Sequence, residues 1–493
     1  MSPDEFRALG HHLVDRIGEF LAGLPDRPVT PGESPATVRA ALGGGGLPTH
    51  GGSADSLLEE AASLLFDHSL FNSHPRFWGY ITSSPAPIGI LGDLLAAAVN
   101  QNVGGWPLAP MATEIEAQTI RWIAELLGYP TSCGGLLVSG GNMANFVGFL
   151  AARKAKAGWD VRTSGMAANP GGLLRAYASA ETHTWLQKAA DLFGLGTDAV
   201  RWIPTDACLR MDAAALRRAI QADEAAGDRP FLVVGTAGSV STGAVDPLPE
   251  LAAICREHGL WFHVDGAYGG FAVAVPDAPP DLLGLREADS VAVDPHKWLY
   301  APLEAGCALV RDPRALLDAF SYRPPYYHLD PSDEAPINFY EYGPQNSRGF
   351  RGLKVWLGLR HAGREGYTDM IGADIALARS LHQHVAMCPG LEPRTQELSI
   401  TTFRYVPPDL EPGGEAVEAY LNLVNAELLT RLQAGGEVYV SNAVVGGAFL
   451  LRACVVNFRT SAADVAALPG VVVRIGAAVD AELRPRELTR AGK

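Results

Sequence analysis

The pattern of apolar and polar positions changes character twice along this 493-residue chain. Residues 1 to about 75 carry helical spacing with one interruption. Asp4 to Leu24 and Ser56 to Ser69 repeat apolar residues at helical intervals, whereas Pro25 to Gly52, rich in Gly, Pro, Ser and Thr, is expected to be loop. From about residue 85, short apolar runs alternate with amphipathic stretches. The runs at Arg175–Ser179, Phe231–Gly235, Leu260–Val264, Ser290–Val293 and Ala305–Arg311 predict strands. Gly134 to Asn142 predicts a short strand and a Gly turn, followed by a helix from Met143 to Lys156. Further helices are expected near Trp185–Phe193 and over Leu248–His258. Thr113-Glu-Ile-Glu116 has the form of a capping box opening a helix that runs to Leu127. Strands alternating with helices imply a largely parallel, doubly wound α/β sheet. After about 350, helices at Leu353–Gly363, Asp374–Val385 and Glu415–Gln433 accompany strands at Ser399–Arg404 and Phe449–Asn457, the pattern of a small α+β domain. The expected organisation is an N-terminal helical segment, 1–84, a large domain, 85–355, and a C-terminal domain, 356–493.

Composition narrows the function classes. Hydrophobic residues make up 47% and charged residues 19%, enough apolar material for a substantial core. A net charge of −15 disfavours nucleic acid or an anionic membrane as a partner. The opening Met1-Ser-Pro-Asp-Glu-Phe-Arg7 carries acids and no apolar stretch, so no signal peptide is expected, and Ile88–Val99 is too short to span a bilayer. Six scattered cysteines without a C-x-x-C pair suit reduced thiols and a cytoplasmic protein. His382 and His384 sit two apart on a helix and face different directions, so no metal site is expected.

Four features could carry chemistry. Any single lysine is most often a surface residue, but Lys297 follows the end of the Ser290–Val293 run, between His296 and Trp298. Ligands in open α/β sheets gather at such strand ends. Asp265 ends the Leu260–Val264 run and precedes Gly266-Ala-Tyr268; it could instead ligate a metal, cap a helix or pair with a cation. A lysine amine that holds an aldehyde as a Schiff base, with a carboxylate that keeps a pyridine nitrogen protonated, suits pyridoxal 5'-phosphate (PLP). The Gly140-Gly141-Asn142 turn before a helix suits a phosphate, although such turns are frequent. It does not match the dinucleotide or nucleoside-triphosphate loops. A lone histidine such as His183 is more often structural; after a strand end it could instead stack on a cofactor ring and move protons.

The motifs His74-Pro-Arg-Phe-Trp-Gly-Tyr80, Thr113-Glu-Ile-Glu116, Gly140-Gly-Asn142, His183, His263-Val-Asp-Gly-Ala-Tyr268, Asp294-Pro-His-Lys-Trp298 and Arg348-Gly-Phe-Arg-Gly-Leu-Lys354 occur in an order that resembles the group II PLP-dependent decarboxylases, the aromatic L-amino-acid decarboxylase family. The resemblance implies fold type I, the aspartate-aminotransferase-like fold with a mostly parallel seven-stranded sheet. It also implies a homodimer with a shared active site, wrapped by the N-terminal helices. It assigns Lys297 to the Schiff base, Asp265 to the pyridinium and His183 to ring stacking. Ala267 would lie near the other face of the ring, and Gly140, Gly141, Asn142, Ser239 and His296 near the phosphate. Tyr80, Ile81, Thr82, Gly104 and Trp106 would form the substrate pocket. The Arg323–Gly343 stretch is expected to be a mobile loop carrying the tyrosine that protonates the substrate carbon, Tyr340 or its competitor Tyr342. Ile81 stands where aromatic decarboxylases typically carry Phe, and Gly104-Gly105 precede Trp106 near where they place a Phe from the partner subunit, which implies a wider or differently shaped pocket. The implied reaction is decarboxylation of an L-amino acid, expected to be aromatic, to its amine. Alternatives are a decarboxylase for a non-aromatic amino acid, an oxygen-consuming aldehyde synthase on the same scaffold, an aminotransferase, or a non-catalytic PLP-binding protein.

Overall fold

The computed structural model describes residues 1–322, 336–411 and 413–488. Its chain forms two compact units, one of Pro85–Ala373 and one joining Met1–Ser84 to Asp374–Lys493. The helical stretch Gly352–Met387 is interrupted at Gly363, where φ is +67°, and the anticipated boundary at 355/356 falls inside it.

The Pro85–Ala373 unit is built on seven strands: β1 (Gly134–Val138), β2 (Leu174–Ser179), β3 (Val200–Ile203), β4 (Arg229–Thr236), β5 (Trp261–Asp265), β6 (Ser290–Val293) and β7 (Gly306–Val310). Their order is β1-β7-β6-β5-β4-β2-β3. β7 runs antiparallel to both neighbours, and every other pairing is parallel. β1, β2, β5, β6 and β7 are buried at every position, which is why they read as unbroken apolar runs rather than alternating ones. In register, Thr236 pairs with Asp265 and Asp265 with Ala292, so β4, β5 and β6 end side by side. β1 ends at the same edge, because β1 and β6 are both antiparallel to β7.

The helix after Ala109 corrects the anticipated capping box. Pro110 occupies its first turn, and the helix runs Pro110–Leu126 with Thr113 and Glu116 already inside it. Thr113 Oγ1 is buried without a partner, and Glu116 turns inward to Arg348 and to the Leu137 backbone N–H. The anticipated 25–52 loop contains a helix, Pro35–Leu42, whose N-cap Ser34 accepts the Thr37 N–H.

In the other unit, β8 (Leu391–Glu397), β9 (Ile400–Tyr405), β10 (Ser441–Val445) and β11 (Ala448–Cys454) form an antiparallel sheet in the order β10-β11-β9-β8. Leu428 from the helix Gly414–Gly435 and Val472 from the helix Ala462–Leu483 join Phe403 and Leu451 in its core. Ala462–Leu483 is long and apolar enough to cross a membrane, yet Val465, Leu468, Val472 and Val479 face this core. Trp78 from the N-terminal segment belongs to the same core. That segment is stitched in by the Trp78 N–H to Tyr439 O (2.7 Å), the Cys454 N–H to Trp78 O (2.9 Å), and Asn457 Nδ2 to His74 O (2.8 Å).

Candidate active site

The anticipated cofactor residues of the Pro85–Ala373 unit all follow strand ends at one edge of its sheet. After β6, Asp294 leads into the short helix Pro295–Trp298, which carries Lys297. Lys297 Nζ lies 3.0 Å from Asp294 Oδ2, with the lysine side chain 20% and the aspartate 2% exposed. Lys297 is therefore neither a surface lysine nor a sealed one. His296 Nδ1 lies 2.7 Å from Ala305 O and 3.3 Å from Ala305 N, which ties the imidazole to the backbone entering β7. Trp298 is buried and stacks on Tyr268, with ring centroids 5.0 Å apart.

Asp265 ends β5. Its Oδ2 accepts the indole N–H of Trp185 (2.8 Å) and its Oδ1 the backbone N–H of Ala267 (3.2 Å). Two donors fix the plane of the carboxylate. His183 follows β2, and its Nδ1 accepts the Trp185 backbone N–H at 3.3 Å. The His183 pKa is lowered, chiefly by desolvation; the nearby Asp265 opposes the shift and Lys297 adds to it, so the ring is neutral near pH 7. His263, two residues before Asp265, is fully buried between Ser290 Oγ and Asn145 Oδ1, each 2.7 Å away, and burial pulls its pKa down to about 4.

After β1, Gly140 has φ +149° and precedes the helix Gly141–Lys156, whose N-terminus carries no side-chain cap. The first N–H groups of that helix lack intrahelical acceptors and are suited to an anion. A Cβ on Gly141 would fall 2.8 Å from Asp294 Oδ2 and 3.1 Å from the Ala267 Cβ, so the phosphate turn, the lysine segment and the Asp265 turn meet there. Ser239 Oγ engages Thr242 Oγ1 at 3.0 Å within its own turn after β4. These residues fit PLP: a glycine cradle for phosphate, a clamped carboxylate for the ring nitrogen, and an amine with a buried acidic partner. Gly141→Ala is expected to weaken PLP binding by about tenfold, because the added methyl must displace Asp294 or Ala267. Titration of the apoprotein with PLP, followed by absorbance, reads this directly.

The substrate positions fall into two groups. Gly104 and Trp106 lie in the same unit as Lys297. Gly104 O accepts the Tyr340 N–H (2.9 Å), Trp106 N–H donates to Asn338 Oδ1 (3.0 Å), and a Cβ on Gly105 would meet the Tyr340 ring at 3.1 Å. Of the anticipated mobile loop, 323–335 lie outside the described residues. The remainder is packed: Phe339 and Glu341 are buried and Tyr340 sits in a single turn of tight helix. Tyr80, Ile81 and Thr82 belong to the other unit. There Tyr80 takes φ +52°, its carbonyl accepting Arg452 Nη2 (2.9 Å) and its N–H reaching Ser441 Oγ (3.3 Å).

Sequence reasoning missed the roles of Trp185 and Asp294. Trp185 was visible only as a helix start beside His183; the usable signal was that a buried indole requires an acceptor.

A seven-stranded, mostly parallel sheet with this site at its edge defines a PLP enzyme of fold type I. Residues 40–403 match the pyridoxal-dependent decarboxylase conserved domain, and the chain belongs to that family. It is 32% identical to an aromatic-L-amino-acid decarboxylase of Bacillus atrophaeus, covering 94% of this chain and 93% of that one. It is 31% identical to a phenylacetaldehyde synthase of Petunia hybrida, covering 92% and 90%. Among solved structures, the crystal structure of Oryza sativa TDC with PLP and tryptamine superposes with a TM-score of 0.88 at 30% identity, covering 97% of this chain and 99% of that one. The protein is a PLP-dependent amino-acid decarboxylase.

Proposed function

We propose that the protein releases CO2 from an aromatic L-amino acid and leaves the corresponding amine. The observation that carries this reading is the pair of adjacent strand ends, β5 and β6, presenting a doubly bonded Asp265 carboxylate and the Lys297 amine. The names of the relatives support the aromatic class. When bound, PLP supplies an electron sink for the pair left behind as CO2 departs.

The chain's own groups divide the remaining work. Asp265 holds a proton on the ring nitrogen, while Gly140, Gly141 and Asn142 bind the phosphate, with His296 and Ser239 beside them. Lys297 would hold the cofactor through its amine, beside its buried partner Asp294. His183 would face the ring from one side, with Ala267 near the other. Gly104 and Trp106, in the same unit as Lys297, would line the substrate pocket.

Tyr340 is our candidate for the hydroxyl that returns a proton to the substrate carbon. The Tyr340 N–H donates to Gly104 O, which supports a role for Tyr340 beside the expected substrate position Gly104. We also propose a homodimer. Leu91, Leu94, Leu95 and Val99 on the helix Pro87–Val99 are each more than half exposed, and the helix Pro3–Gly23 buries no residue. Such apolar faces mark an association surface. A cytoplasmic setting suits the six free cysteines.

A panel of L-amino acids scored for CO2, amine, peroxide and ammonia tests the reaction. Amine matching CO2, largest for aromatic substrates, is expected. Stoichiometric peroxide and ammonia would instead establish an aldehyde synthase. In the same assay Tyr340→Phe is expected to lower amine yield by about 10²-fold or more, the scale of a lost proton donor. An unchanged yield moves that role off Tyr340.

A further inference from the structure

Trp185 touches two groups of the site at once. Its side chain is completely buried, and its indole N–H is spent on Asp265 Oδ2 at 2.8 Å. Its backbone N–H reaches His183 Nδ1 at 3.3 Å. Each bond selects a protonation state. The indole bond is strong only while the carboxylate is negative. The backbone bond forms only when Nδ1 carries a lone pair, which leaves the ring proton on Nε2.

The indole is itself held in place. It meets the His263 ring edge-on, with centroids 5.6 Å apart and planes at 77°. His263 is caught between Asn145 and Ser290, and Ser290 Oγ also accepts the Trp261 indole N–H at 2.8 Å. Gly148 leaves space for the imidazole, since a Cβ there would come within 2.6 Å of it. A continuous line of buried groups therefore runs from Trp261 through Ser290, His263 and Trp185 to Asp265.

We propose that Trp185 is a positioning residue that keeps the proton shared between Asp265 and the cofactor ring on the ring nitrogen, while fixing His183 as its Nε2–H tautomer. The proposal rests on the reading that Asp265 faces the ring nitrogen of PLP. One proton then has two sites, the nitrogen or the carboxylate. The indole N–H stabilises the carboxylate only in its charged form, so it moves the proton to the nitrogen, the state in which the ring draws electrons most strongly. Losing a hydrogen bond to a charged group shifts such a balance by roughly 10- to 100-fold.

The test uses holoenzyme reconstituted with PLP carrying an isotope-labelled ring nitrogen and read by NMR. Wild-type protein is expected to give a pyridinium signal. Trp185→Phe, which keeps an aromatic ring against His263 but has no N–H, is expected to move the signal toward neutral pyridine and to loosen PLP about tenfold or more. If Trp185→Phe fails to fold, replacement of Trp185 by 3-benzothienylalanine keeps the shape and exchanges only the N–H for sulfur. Identical ring-nitrogen signals in the wild type and the folded variant overturn the proposal. A His183 protonated at Nδ1 in the wild type overturns its second half. Borohydride reduction of the wild type that leaves Lys297 unmodified by mass would instead overturn the PLP reading beneath it.

Discussion

Lys297→Ala is expected to lower amine formation by roughly 10³-fold or more, the scale of losing a group that both holds the reactant and moves protons. The protein should remain folded, because the Lys297 side chain is partly open to solvent. PLP should still bind, through Gly140, Gly141 and Asp265, but should be removable by dialysis. The substitution leaves Asp294 nearly sealed, with its amine partner gone and one oxygen already lacking a hydrogen-bond donor. A lysine that served only to neutralise Asp294 would be replaced well by Arg; a lysine that bonds to the cofactor would not. Initial rates of CO2 release for Lys297→Ala and Lys297→Arg, with circular dichroism as the control for folding, separate these roles. Wild-type rates in Lys297→Ala would end the decarboxylase mechanism proposed here.

The largest expected effect on stability lies away from the chemistry. The side chains of Glu116 and Arg348 are 0% and 1% exposed and form an ion pair. Arg348 also donates to Val103 O (2.7 Å) and Leu137 O (2.6 Å), while Glu116 accepts the Leu137 N–H at 2.9 Å. The guanidinium additionally lies 4.7 Å from the Phe339 ring centroid. Together these bonds join the turn at Val103, the strand leading to the Gly140 cradle, and the segment entering Tyr340. Glu116→Gln keeps the shape and the acceptor but leaves a buried positive charge without its counter-charge. The expected cost is about 3–5 kcal/mol, which in a protein of this size lowers the melting temperature by roughly 3–5 °C. Adding Arg348→Met should recover part of the loss, since removing both charges is far less costly than removing one. Thermal unfolding of the single and double variants reads the pair directly; an unchanged melting temperature in Glu116→Gln would show that the pair carries no such energy.

The buried strands were legible because a strand covered on both faces has no polar positions to interrupt it. The same property placed Asp265 and Lys297 correctly at strand ends, where polar residues return. Elements with mixed exposure were harder to read. β3 leaves Trp202 partly exposed and β8 has no buried residue, so neither shows a clean apolar run. The Thr113–Glu116 motif misled because a capping box depends on where the helix starts, and Pro110 starts it earlier. Contacts between distant residues had no local signal at all: Glu116 with Arg348, or Trp185 with Asp265, become neighbours only when the sheet assembles. The packed end of the anticipated loop is a further case, since Pro-rich composition does not reveal that Tyr340 is tied to Gly104.

The stitching of residues 74–80 into the antiparallel sheet also bears on how the chain comes to be folded. A ribosome makes Phe77 and Trp78 long before it makes Tyr439, Cys454 and Asn457, the residues that bond to this segment. All seven strands of the PLP-binding sheet are complete by Val310, so that sheet can close while synthesis continues. The early aromatic segment must wait as an unsatisfied, sticky stretch of nascent chain through the whole of that interval. Truncation before β11 would therefore leave it exposed, and premature termination near the C-terminus should yield aggregates rather than a smaller working enzyme.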